Sequence, residues 1–104
     1  SNAVYQAFNQ AMADVREDPG YEVPEHLRNA PTRLMQDLGY GADYRYAHNE
    51  PDAYAAGECY LPEAIQARQY YQPQPRGLEI KIREKFNYLR ELDRTSAQQR
   101  YQKD

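Results

Sequence analysis

The sequence predicts an all-α fold: a small helical domain with long, ordered connecting segments. Three observations lead there. Apolar residues recur at helical spacing through residues 4–17, VYQAFNQAMADVRE, and again through residues 77–94, GLEIKIREKFNYLRELDR. The stretch between them is dense in Gly, Pro, Asp, Asn and Tyr and alternates only weakly, so it reads as loop with short helical turns. The 104 residues suit one domain, residues 4–104. The leading Ser1-Asn2-Ala3 reads as the remnant of a cleaved tag and stands outside the expected fold.

Taken in order, residues 4–17 place Val4, Ala7, Phe8, Ala11, Met12 and Val15 on one stripe, with Gln6, Gln10, Asp14 and Glu17 opposite and facing water. Phe8 and Met12 read as core packing, and Pro19-Gly20 ends the helix. Residues 21–30 form a connection with one helical turn. Pro31 then opens a short helix over residues 31–38, where its missing amide costs little, and Gly39 stops it. A turn at residues 51–56 closes at Gly57, Cys59-Tyr60-Leu61 reads as extended, and Pro62 opens a turn over residues 62–67. Residues 68–76, RQYYQPQPR, read as an extended, polyproline-like crossing whose adjacent Tyr70 and Tyr71 serve different surfaces. In the last helix Leu78, Ile82, Phe86, Leu89 and Leu92 make the main stripe. Ile80 and Tyr88 fall off it, either as isolated exposures or as a second contact surface for another copy. The polar residues 95–104 are expected to fray.

Composition narrows the function. Thirteen Lys and Arg against 16 Asp and Glu leave a net charge of −3, with no basic tail or stripe. Eleven Tyr against two Phe give a core with many half-buried polar edges, a composition that also suits interfaces. A single cysteine, Cys59, cannot form an intrachain disulfide and fits a reducing compartment. No stretch reads as a signal peptide, and none approaches the roughly 18 apolar residues of a membrane span.

No catalytic or metal motif emerges. His26 and His48 lie far apart with no HxxxH, HExxH or CxxC spacing, so they read as structural residues and no metal is expected. There is no phosphate loop; the GYG at residues 39–41 reads as turn glycines. Cys59 reads as a small packed residue. Asp37, Asp43, Glu50, Asp52, Glu58 and Glu63 read as solvated or capping groups rather than a paired acid–base site. Arg28, Arg33, Arg45, Arg68 and Arg76 interleave with Tyr44, Tyr46, Tyr70 and Tyr71. That is the chemistry of single-strand binding, arginine for phosphate and tyrosine for base. It is equally the chemistry of loops cross-linked through carboxylates, carbonyls and ring faces, and residues 21–76 hold five Arg against eight acids. Arg28, Arg33, Arg45, Arg68, Tyr44 and Tyr70 are the candidate nucleic-acid or partner contacts; Ile80 and Tyr88 are the candidate oligomer contacts.

Three blocks in order, HLRNAPTRLM, GYGADYRYAHNEPDAYAAGECYLP and RQYYQPQPRGLEIKIREK, resemble the carboxyl-terminal domain of the replication-associated recombination protein A family. The resemblance covers residues 4–101. These are bacterial AAA+ ATPases related to the Werner-helicase-interacting protein and to clamp-loader subunits. The resemblance implies a collar-like helical domain that holds the parent as a homotetramer acting at stalled replication forks, cytoplasmic and nucleoid-associated. It implies ATP and Mg²⁺ in the parent but no cofactor here, with the ATPase site upstream. DNA and replication proteins would be met through the parent. The HLRNAP and RYAH blocks, residues 26–31 and 45–48, carry over as structural or interface residues.

Overall fold

The structure, a computed structural model, describes residues 1–18 and 20–101 and contains helices and turns but no strand among them. Three α-helices carry the chain: α1 (Ala3–Glu17), α2 (Arg33–Asp37) and α3 (Glu79–Thr95). Single 3₁₀ turns lie at Glu25–Leu27, Ala47–Asn49, Pro51–Ala53 and Glu63–Ile65. The all-α expectation holds, and the long connections are ordered by side-chain bonds. The helix stop expected at Pro19 and the last three residues of the tail lie outside the described residues.

The chain divides into two compact units. The first joins Ser1–Tyr21 to Ala67–Thr95 and so holds α1, the crossing segment and α3. Among the described residues α1 and α3 do not pack on each other; the crossing serves both. Tyr70 donates to Asp14 of α1 at 2.7 Å, while Tyr71 donates to Glu79 at 3.1 Å and sets its ring edge-on to Phe86 of α3. Adjacent tyrosines thus reach different helices, as alternation in an extended chain requires. Ala3 is buried and begins α1, so the helix takes in a residue that was expected to stand outside the fold.

The rotation of α1 corrects the sequence reading. Of its expected water face Gln6, Gln10 and Glu17 are exposed, but Asp14 is turned onto the crossing. The apolar stripe is turned outward: Phe8 is 61% and Val15 74% exposed, with Val4 and Met12 also exposed. Phe8 and Met12 are therefore not core residues. The reason is visible in the partners. Ala3 and Ala7 leave room for the crossing to approach, and Asp14 is satisfied there by charge-assisted bonds that an apolar face could not offer.

The second unit joins Glu22–Gln66 to Ser96–Asp104. Here α2 begins later than expected. Thr32, not Pro31, caps it, accepting from the Met35 amide at 3.2 Å. Its exit is a Schellman motif: Tyr40 N–H donates to the Met35 carbonyl and Gly39 N–H to Gln36, with Gly39 at φ 92°. Pro62 likewise precedes its turn instead of opening it. The helical turn expected over residues 51–56 shortens to Pro51–Ala53, because Asp52 and Ala53 adopt left-handed φ. The largest correction concerns the tail. Residues 96–101 do not fray; they return to this unit and are bonded along their length.

Candidate interaction surfaces

In the second unit the loops are organised around Glu58, whose side chain is 2% exposed. Arg100, from the returning tail, donates to it twice, at 2.6 and 2.7 Å, and donates again to the Asp43 carbonyl at 2.7 Å. The Cys59 amide adds a donor at 2.9 Å. Burial pushes the Glu58 carboxyl up, but these donors outweigh it and hold it below its ordinary range. His26, 6% exposed, donates from Nε2 to the Cys59 carbonyl at 2.9 Å. The tail is tied further by the Arg100 amide to Gly57, Ser96 to the Ala56 carbonyl and Tyr101 to the Leu61 carbonyl. Gly57 makes this approach possible: a β-carbon there would overlap the Gln98 carbonyl.

Arg45 closes the adjoining loop, donating to Glu50 at 2.9 Å and to the Ala56 carbonyl at 2.7 Å. Arg28 holds Glu22 at 3.0 Å and the Val23 carbonyl at 2.7 Å, with its guanidinium over the Tyr40 ring. Both arginines are loop cross-links. In the first unit Arg68 does the same for α1, paired with Asp14 and Asp18. The Tyr70 hydroxyl, more than Arg68, lowers the Asp14 carboxyl, and Asp14 in turn raises the Tyr70 phenol.

The residues singled out in the sequence therefore separate into two groups. Arg28, Arg45, Arg68 and Tyr70 spend their donors inside their own units. Arg33, Tyr44, Ile80 and Tyr88 are exposed, and Arg33 enters no ion pair among the described residues. Arg28, Arg33 and Arg45 belong to one unit and Arg68 to the other. His48 stacks obliquely on Tyr46, and among the described residues no group of three His, Cys, Asp or Glu side chains could cage a metal. Sequence reasoning missed Glu58, Arg100 and Asp14. For Asp14 a signal existed, since small Ala3 and Ala7 flank the polar face and allow a segment to lie close. For Arg100 no local signal existed, because its carboxylate lies 42 residues away.

The other surface is apolar. Only Ala3 and Ala55 are buried apolar residues among those described. Val4, Tyr5, Phe8, Met12 and Val15 on α1, and Leu78, Ile80, Ile82 and Tyr88 at or on α3, are exposed. On α1 these positions line one side of the helix, whereas on α3 they are spread around more than one side. No described helix is long and apolar enough to cross a membrane.

Comparison with known proteins follows the same chain almost end to end. Residues 1–90 match the family described as MgsA AAA+ ATPase C terminal. The chain is 57% identical over 101 residues to the replication-associated recombination protein A of Haemophilus influenzae, covering 97% of this chain and 23% of that protein. It is 59% identical over 101 residues to the protein of the same name from Escherichia coli K12, again covering 97% of this chain and 23% of that protein. A stretch of 72 residues is 39% identical to the ATPase WRNIP1 of Dictyostelium discoideum, covering 69% of this chain and 8% of that protein. The chain thus spans about a quarter of the length of the two bacterial relatives.

Proposed function

The chain belongs to the family of MgsA AAA+ ATPase carboxyl-terminal domains, and from that membership we propose that it is the self-association domain of a replication-associated AAA+ motor. It does no chemistry of its own in this reading. ATP and Mg²⁺ are bound by the parent's ATPase module, and the domain sets how many motors stand together, four in the complete protein. The parent works in the cytoplasm, on DNA at stalled forks, alongside replication proteins. The observation that carries the reading is the exposure of the α1 apolar stripe and of Ile80 and Tyr88 on α3, with almost no large apolar side chain buried among the described residues. Such a chain gains most of its available hydrophobic stabilisation from a partner, and symmetric self-association is the commonest way for a soluble protein to supply one. Sedimentation velocity over a wide concentration series tests it. Mass rising with concentration is expected, and a monomer at every concentration would sink the reading.

A second reading rests on Arg33 and Tyr44, exposed in the same unit and without an ion pair for Arg33 among the described residues. In it, Arg33 and Tyr44 meet DNA or a DNA-bound partner, and Arg28 and Arg45 contribute only by holding the loops of the same unit, while Arg68 and Tyr70 belong to the other unit and take no part. Titration of labelled single-stranded and forked DNA at low salt decides, because phosphate contacts are strongest there. Binding that Arg33→Ala weakens supports this reading, and no binding removes it.

A further inference from the structure

We infer that the outward stripe of α1 is the seat of a second copy of this chain, packed antiparallel, α1 on α1. The inference rests on the self-association reading and names the surface that reading lacks. It begins from the Asp14 network. Bonds from Arg68 and Tyr70 fix the rotation of α1, so that Val4, Phe8, Met12 and Val15 share one outward face. None of these four side chains carries a charge. The two rings, Tyr5 and Phe8, are 69% and 61% exposed and each have roughly 90–170 Å² left for a partner to cover. With Met12 and two valines added, α1 supplies a large part of the ~800 Å² per partner of a standard interface.

The order of residues along the stripe selects the occupant. The amino-terminal half holds the rings. The carboxyl-terminal half holds Met12, Val15 and, at the edge, the exposed Arg16. Each half carries what the other half pairs with: a thioether for a ring, a guanidinium for a ring. Antiparallel packing brings the halves together. A register that sets Phe8 opposite the second copy's Met12 also sets Tyr5 beside its Val15 and Arg16, and two-fold symmetry repeats both contacts. Parallel packing would instead set ring on ring at one end and cation beside cation at the other. Ala11, in the middle of the stripe, leaves room for the phenylalanine ring to seat.

The test uses the 104-residue chain with two single variants, Phe8→Glu and Met12→Lys, followed by sedimentation velocity. Each variant alone is expected to lower the assembled mass, with the association weakened roughly tenfold or more for the lost apolar contact. Circular dichroism of each variant should match the wild type, because neither side chain is buried within one copy. Mixing the two variants should restore assembly. The carboxylate introduced in one copy then faces the ammonium introduced in the other across the antiparallel contact, while the second Phe8–Met12 contact stays native. Wild-type assembly that Phe8→Glu leaves untouched would overturn the inference while the self-association reading stands. Loss in each variant without recovery on mixing would overturn the antiparallel register. A wild type that never associates would remove the reading and the inference together.

Discussion

At the scale of the residue, Glu58 and Arg100 decide whether the second unit is closed. Glu58 is a carboxylate with its side chain 2% exposed, and two donors of one guanidinium satisfy it. Removing the cation leaves the anion buried and unpaired. Arg100→Ala should therefore cost about 3 kcal/mol in chemical denaturation, and Arg100→Lys less, because a lysine keeps the charge but not the fork. The same pair has a pH signature. The folded carboxyl of Glu58 titrates below its ordinary value of 4.5, so its contribution is complete above that value and is lost as pH falls through the lowered one. Acidification should loosen residues 96–101, read as faster proteolysis near Arg100. The stability gap between wild type and Arg100→Ala should shrink over the same window, since Glu58 is then neutral in both. A gap that stays constant with pH would mean that the guanidinium acts through packing alone. The arginine-to-loop logic was legible in the sequence where partners are near, as in Arg45 with Glu50 five residues on. The same chemistry at Arg100 was not, because nothing in a polar tail announces a carboxylate 42 residues back.

At the scale of the element, local signals located the helices and failed at what they face. The spacing of apolar residues put α1 and α3 within two residues of their observed limits. The Gly39 stop was also readable, because a helix exit needs a left-handed residue there. Proline was the misleading signal: Pro31 and Pro62 stand before their helical turns, and at α2 the hydroxyl of Thr32 does the capping. Periodicity says that α1 has two faces; it does not say which one the rest of the chain will meet. That was settled by Asp14 and its partners on the crossing segment, contacts more than fifty residues distant in the chain. The returning tail depends on Gly57 in the same non-local way. Gly57 has φ 81° and the Gln98 carbonyl sits where a side chain would begin. Gly57→Ala should lower the thermal midpoint and release residues 96–101, an effect larger than the roughly 1 kcal/mol of a left-handed alanine alone. Hydrogen exchange at the Arg100 amide, which donates to the Gly57 carbonyl at 3.0 Å, reports the release directly. Unchanged protection there would show that the tail is held without this close approach.

At the scale of the whole molecule, the number of self-complementary patches limits the assembly. One isologous patch closes a dimer and stops; a closed tetramer with two-fold symmetry needs a second, distinct patch. The chain offers two candidates on separate helices, the α1 stripe around Phe8 and the α3 positions Ile80 and Tyr88. If they are independent interfaces, their losses combine in steps. Phe8→Glu should reduce a tetramer to dimers held through α3, and Ile80→Glu with Tyr88→Glu should reduce it to dimers held through α1. The triple variant should be monomeric and still helical, since none of these side chains is buried within one copy. Mass photometry or sedimentation of the four proteins at one concentration reads the steps. Monomers from Phe8→Glu alone would mean that the α3 patch closes nothing by itself and that Ile80 and Tyr88 act as the rim of the α1 contact. Tetramers surviving the α3 substitutions would place the second interface elsewhere, at Leu78 and Ile82 at the start of α3 or at Leu34 and Leu38 of α2 and its cap, which are also exposed.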